Sequence, residues 1–211
     1  SEAKFVSGVT IGDICEPILS EDCADIKISK EKNIEKMLEK SNAVYVLTGP
    51  ATRGEYVKKA LKKGCHVICE SPISLKKKQT EELYNYAEKN GLILFEALKT
   101  AYMKAFTRLI VLLKGGIIGD IKAIDATCTS MQPSNEWFYN KENLGGSLTD
   151  WGPFVLLPVF KIFGLNYKKC SFVTDIDDEK EIDTFTHISL LYEIIGKLSI
   201  LFYIFSHFHA D

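Results

Sequence analysis

A short apolar run, His66-Val67-Ile68-Cys69, stops abruptly at Glu70-Ser71-Pro72, which sets an acid, a hydroxyl and a proline side by side. Strand character ending in polar groups, with Gly64 upstream and a helical pattern downstream, reads as a strand delivering ligand contacts at its carboxyl end. Metal chemistry is a poorer fit. Cys65 and Cys69 would stand roughly 13 Å apart along a strand, too far to share one ion. His207 and His209 share a face if their segment is a strand, but they sit at the chain end, where fraying outweighs a site. No metal is expected.

The elements around that run alternate. Ala24 to Ile28 has the character of a short strand, and Ser29 is an N-cap candidate for a helix through Ile34, Met37 and Leu38, ending near Ser41. Ala43 to Leu47 is a continuous apolar run stopped by Thr48-Gly49-Pro50, which predicts a strand buried on both faces of a parallel sheet. Thr52 is placed to cap a helix lined by Tyr56, Val57, Ala60 and Leu61, with Gly64 ending it in the left-handed conformation. Ser74 should cap a further helix, with Leu75, Leu83 and Ala87 inward and Gly91 closing it. Leu92 to Phe95 is the next strand. Strands separated by helices of about three turns are βαβ units with parallel pairing.

Beyond residue 99 the pattern changes. Tyr102 to Lys114 predicts a helix with Phe106, Leu109, Ile110 and Leu113 on one side, terminated by Gly115-Gly116. Ile121 to Ser130 alternates, with Ile124, Ala126 and Cys128 on one face, as in a half-covered antiparallel strand. A polar, aromatic loop from Met131 to Asn143 leads to Gly145-Gly146. Asp150 to Phe163 reads as a helix kinked by Pro158, with Asp150 an N-cap candidate. Cys170 to Thr174, Thr184 to Tyr192 and Leu198 to Phe205 are strand-like, the first two separated by an acidic turn. The expected organisation is a partial Rossmann-like α/β domain over residues 1–99, then a partial α+β domain over 100–211 whose antiparallel sheet carries helices on one face.

Four segments in order carry a resemblance to one family. Gly64-Cys65-His66-Val67-Ile68-Cys69-Glu70-Ser71-Pro72 is similar to the Gly-Lys-His-Val-Leu-Cys-Glu-Lys-Pro signature of the Gfo/Idh/MocA NAD(P)-dependent oxidoreductases. Ala43 to Pro50 followed by Glu55, Gly116-Ile117-Ile118-Gly119-Asp120-Ile121, and Gly145-Gly146-Ser147-Leu148-Thr149-Asp150-Trp151-Gly152 resemble three more of its segments. The resemblance implies hydride transfer between NAD or NADP and a sugar, sugar-nucleotide or cyclitol hydroxyl. It further implies that Asp150 is the acid/base or orienting group, that Thr48, Gly49, Pro50, Arg53, Glu70 and Pro72 line the cofactor side, and that Ser71-Pro72 is a cis bond. Three positions depart from the family. Ser71 replaces the motif lysine, and a serine hydroxyl is no positive, titratable donor. Phe154 stands where a histidine or tyrosine is usual, and Arg53 where a histidine is usual. Lys99 is a candidate relocated lysine, with a solvated surface lysine as the plainer reading. None of the fourteen glycines forms Gly-x-Gly-x-x-Gly.

Composition narrows the partners. Lys and Arg number 26 against 28 acids, so a net charge of -2 gives no global drive toward nucleic acid or an anionic membrane. The apolar run from Leu198 to Phe205 is far shorter than a membrane helix of roughly 20 residues. Six scattered cysteines without a disulfide framework point to a reducing cytoplasm. The edge at Tyr203 to Phe205 reads as a fragment of a longer polypeptide, a truncation, or a sheet completed by a partner, and the antiparallel sheet makes a homo-oligomer the expected assembly. Three readings stand: an NAD(P)-dependent oxidoreductase, a ligand-binding or scaffolding derivative of that fold without turnover, and a fold relic whose apparent site is held only by packing.

Overall fold

The computed structural model describes residues 13–14, 29–30, 33–129, 139–194 and 197–199. Ala24 to Ile28, most of the 131–143 loop, and His207 and His209 lie outside the described residues, as does Leu198 to Phe205 except for its first two positions.

The α/β part is built on parallel pairing. A short ladder joins β1 (Asp13–Ile14) to β2 (Ser29–Lys30), and β3 (Ala43–Val46), β4 (His66–Cys69) and β5 (Leu94–Glu96) form a second parallel sheet in that order. Helix α1 is Ile34–Glu39; Asn33 rather than Ser29 caps it, its side chain accepting from the Glu35 and Lys36 N–H groups. Helix α2 (Pro50–Lys62) starts two residues before the expected Thr52, because Pro50 occupies its first turn, where a missing N–H costs nothing. Gly64 follows it at φ +81°, the left-handed exit that its lack of Cβ permits. Helix α3 (Lys77–Lys89) also begins later than expected. Ser74 does not cap it; its hydroxyl accepts from Lys76 N, and Leu75 points to solvent rather than inward.

Helices α1, α2 and α3 bury one face of the sheet: Leu38, Val57, Ala60, Leu61, Leu83 and Ala87 pack with Val46, Val67 and Cys69. Each fully buried Leu or Val in this cluster contributes about 2 kcal/mol. The expectation that β3 is buried on both faces is not met. Tyr45 (51% exposed) and Ile68 (43%) lie open on the other face, because all three described helices share one side.

A 3-10 turn (Lys99–Tyr102) leads into α4 (Lys104–Lys114), on which Leu109 is exposed rather than inward. The 121–129 segment forms no strand, yet Ile124, Ala126 and Cys128 do pack into the second core, so the face was legible and the ladder was not. Helix α5 (Ser147–Phe163), with Pro153 and Pro158 inside it, lies over the antiparallel sheet of β6 (Lys169–Asp177), β7 (Ile182–Ile194) and β8 (Lys197–Ser199). Val155 and Val159 meet Ile188, Leu190 and Tyr192 there.

Asp150 does not cap α5. The cap comes from across the fold: Asp183 on β7 accepts from Ser147 Oγ (2.5 Å), Leu148 N (2.7 Å) and Thr186 Oγ1 (2.8 Å). Gly146, at φ +132°, makes room for it, since a Cβ there would fall 2.1 Å from Asp183 Oδ1. Asp183→Ala should therefore lower the unfolding free energy by about 2–3 kcal/mol, the worth of charge-assisted bonds to a helix end, with Gly146→Ala comparable, both read by urea unfolding.

Candidate active-site cleft

Parallel strands end together, so β3, β4 and β5 deliver Thr48, Glu70 and Glu96 to one edge of the sheet. Arg53 sits one turn into α2, on the face that also carries Val57, and is only 2% exposed. Its guanidinium donates from Nε to the Thr48 carbonyl (2.9 Å) and from a terminal nitrogen to the Pro72 carbonyl (2.7 Å). The loops after β3 and β4 are thereby pinned to one cation. Burial lowers the Arg53 pKa from its ordinary value, while Cys69, Glu70, Asp150 and Glu96 oppose that shift, which sets four polar groups around it. An arginine stays charged through such a shift.

Asp150 occupies the first turn of α5, its N–H bonded to Gly146 O, and its carboxyl accepts no hydrogen bond among the described residues. Burial raises its pKa above 3.8; Arg53 pulls it down and Glu70 pushes it up. The second part of the fold closes against the first here: the Asn143 side chain lies against the Gly49 turn, 3.7 Å from where a Cβ would stand.

Ser71 follows β4 through a cis bond to Pro72, and its hydroxyl donates to Glu96 Oε1 at 2.6 Å. The Tyr45 hydroxyl donates to Glu70, and burial first, that bond second, push its pKa up to about 12. Thr48 Oγ1 and Trp151 Nε1 are buried polar atoms without a hydrogen-bond partner among the described residues. Gly49 is the N-cap of α2 with no side chain spent on it, and Pro50 is buried behind it.

The remaining expected residues fare differently. Lys99 is exposed in the 3-10 turn, and its ammonium has no partner among the described residues. Phe154 lies on α5 with its ring centroid 5.9 Å from that of Trp151. Cys69 is buried, its thiol pushed up to about 12 mainly by desolvation, and Cys65 donates to the carbonyls of Leu38 and Ser41. Both are inert packing thiols at neutral pH. Sequence reasoning missed Glu96, Tyr45 and Asp183. The first had a signal, because Glu96 ends β5 in register with Cys69 and so repeats the strand-end acid of β4.

As chemistry, the cleft offers three carboxylates around one engaged cation, an orphan hydroxyl on Thr48, and an uncapped helix start. An orphan buried hydroxyl and an open strand edge fit a ligand rich in polar groups, as a nicotinamide ribose is. A glycine-rich pyrophosphate cradle is absent from the sequence.

Residues 10–98 match the family described as "Oxidoreductase family, NAD-binding Rossmann fold". The chain is 30% identical over 131 residues to scyllo-inositol 2-dehydrogenase (NADP(+)) of Bacillus subtilis, covering 58% of this chain and 39% of that protein. It is also 30% identical over 116 residues to dTDP-3,4-didehydro-2,6-dideoxy-alpha-D-glucose 3-reductase of Streptomyces violaceoruber, covering 54% of this chain and 34% of that one. Among solved structures, a 3-ketoreductase from Actinomadura kijaniata in complex with NADP and TDP-benzene superposes with a TM-score of 0.74 at 23% identity, over 87% of this chain and 56% of that one. The matched stretch thus spans little more than a third of these two curated relatives.

Two outcomes follow from the geometry. Arg53→Met leaves the Thr48 and Pro72 carbonyls without their donor and should destabilise the fold by about 2–4 kcal/mol in urea unfolding. For Asp150 the folded pKa is raised, so the folded state holds the proton more tightly and stability falls as pH rises from below 3.8 through the folded value. Asp150→Asn, neutral throughout, should gain on the parent across that window and keep the gain at neutral pH. Parallel stability curves for the two proteins would contradict this.

Proposed function

From a chain whose residues 10–98 belong to the Gfo/Idh/MocA oxidoreductase family, we propose that it forms part of an NAD(P)-dependent oxidoreductase acting on a sugar, sugar-nucleotide or cyclitol hydroxyl. The observation that supports this reading is the buried Arg53, bonded to the Thr48 and Pro72 carbonyls at the strand ends, with Glu70 of the sheet edge and Asp150 of α5 both acting on its charge. The relatives named above, a cyclitol dehydrogenase and a sugar-nucleotide reductase, support the substrate class.

The nicotinamide would supply hydride acceptance or donation. Thr48, Gly49, Pro50, Glu70 and Pro72 would hold its ribose side, with the Thr48 hydroxyl gaining the partner it lacks. Arg53 would act from behind, fixing the two loops rather than contacting cofactor, since two of its donors are already engaged. Asp150 would meet the reacting hydroxyl as acid/base or orienting group, and burial, which raises its pKa, makes it a readier proton acceptor than an exposed carboxylate. Asn143 and α5 would shield that contact from water.

A second reading, a binding or scaffolding derivative without turnover, is favoured by Ser71 and Phe154, which lack the titrating groups usual at those positions. The division into residues 1–99 and 100–211 is supported by two separate apolar clusters, one through α1 to α3 and one through α5 and β7. Assembly through the antiparallel sheet is supported by exposed Phe172, Val173 and Ile176 on β6. No helix among the described residues is long and apolar enough to cross a membrane, and the four described cysteines are free, which accords with a reducing cytoplasm.

Turnover decides between the two readings. With scyllo-inositol and NADP⁺, formation of reduced nicotinamide by the chain should fall about 100-fold or more in Asp150→Asn. Ligand binding without turnover by the parent would favour the scaffold reading.

A further inference from the structure

Ser71 is the sharpest departure from the family motif, and its surroundings differ from those of a lysine in a specific way. Glu96 Oε1 lies 2.6 Å from Ser71 Oγ, and that hydroxyl is the one hydrogen-bond donor to the Glu96 carboxylate among the described residues. No described cation forms an ion pair with Glu96, Lys99 included, and backbone bonding from Ala97 N to Cys69 O (2.7 Å) ties the two strand ends together. A carboxylate only accepts, so the serine proton is committed to Glu96. What remains on Ser71 Oγ is acceptor capacity, the opposite of an ammonium, which can only donate.

We propose that Ser71 and Glu96 together replace the motif lysine as a proton-relay pair, which takes the hydroxyl proton when an alcohol is oxidised and returns it in the reverse direction. The inference rests on the oxidoreductase reading and assigns the proton route within it, leaving Asp150 to orient the substrate. A bound oxidised nicotinamide would supply the electron acceptor for the carbinol hydride. The substrate hydroxyl proton passes to Ser71 Oγ while the Ser71 proton passes to Glu96, leaving a ketone, reduced nicotinamide and a protonated Glu96. Ser71 is then the catalytic residue that touches substrate, and Glu96 the positioning residue that acts through it. The titratable and charged groups whose fields reach Glu96 are Arg53, Cys69 and Tyr84.

Two measurements on the 211-residue chain test this. A double-mutant cycle of Ser71→Ala and Glu96→Gln in urea unfolding, which needs no cofactor, should give coupled effects, the double variant losing less than the sum of the singles. Additive effects would mean that the pair does not form in solution, and would overturn the proposal. With scyllo-inositol and NADP⁺, Ser71→Ala and Glu96→Gln should each lower kcat with KM nearly held, while Ser71→Thr, which keeps the hydroxyl, should retain most of the parent rate. Turnover surviving both Ser71→Ala and Glu96→Gln, or Ser71→Thr as damaged as Ser71→Ala, defeats the pair while sparing the oxidoreductase reading. No turnover by the parent defeats that reading and the pair with it.

Discussion

The interaction on which the cleft depends is a buried guanidinium bonded to backbone rather than to a carboxylate. Arg53 joins the Thr48 and Pro72 carbonyls, so the loops after β3 and β4 keep a fixed separation whatever the side chains around them do. Its planar fork suits two diverging acceptors, which a compact ammonium could not match. Its charge also reaches groups it does not touch. With Glu70, Glu96 and Asp150 near it and none in an ion pair with it, the region carries more negative charge than positive. Such a place favours ligands that donate hydrogen bonds, as polyhydroxylated molecules do.

That bridge needs the second half of the fold to complete it. Asp150 reaches the cleft only because α5 begins where it does, and α5 begins there because Asp183 on β7 holds its first turn. Gly146 is the residue that allows the approach, through a backbone conformation and a contact that a Cβ would forbid. A chain of local requirements therefore links a glycine, a strand carboxylate and a helix start to the position of the candidate acid/base group. Each is a short-range effect, and together they set the depth at which Asp150 is desolvated.

How much of this was legible beforehand follows from which interactions are local. The parallel βαβ order, the inward residues of α2, and the left-handed Gly64 are written in periodicity and single-residue conformational preference, and they stand as read. The exposed face of β3 was not legible, because continuous hydrophobicity says that a strand tolerates burial, not that a helix covers it. The 121–129 segment alternated like a strand and packed its apolar face as expected, but pairing depends on a neighbouring edge that no local pattern specifies. In the cleft, Glu70, Ser71 and Asp150 were found through motif resemblance. Glu96 and the cap by Asp183 were missed, since both depend on contacts between residues 25 and 36 apart. Arg53 was singled out through the same resemblance, which put it on the cofactor side; its bonds to two backbone carbonyls were not legible, since they join loops far apart in the chain.

If a nicotinamide cofactor sits at the strand edge beside Arg53, the Thr48 hydroxyl reports it most directly, because it is buried and without a hydrogen-bond partner among the described residues. Calorimetric titration of the parent and Thr48→Val with NADP⁺ and NADPH, with unfolding of the unliganded proteins alongside, separates a ligand role from a packing role. Replacing an orphan hydroxyl by a methyl group should leave the unliganded fold as stable or more so, by up to about 2 kcal/mol. The parent should bind saturably, and Thr48→Val more weakly despite that stability. Equal affinity in both proteins, or heat of binding from neither, would contradict it.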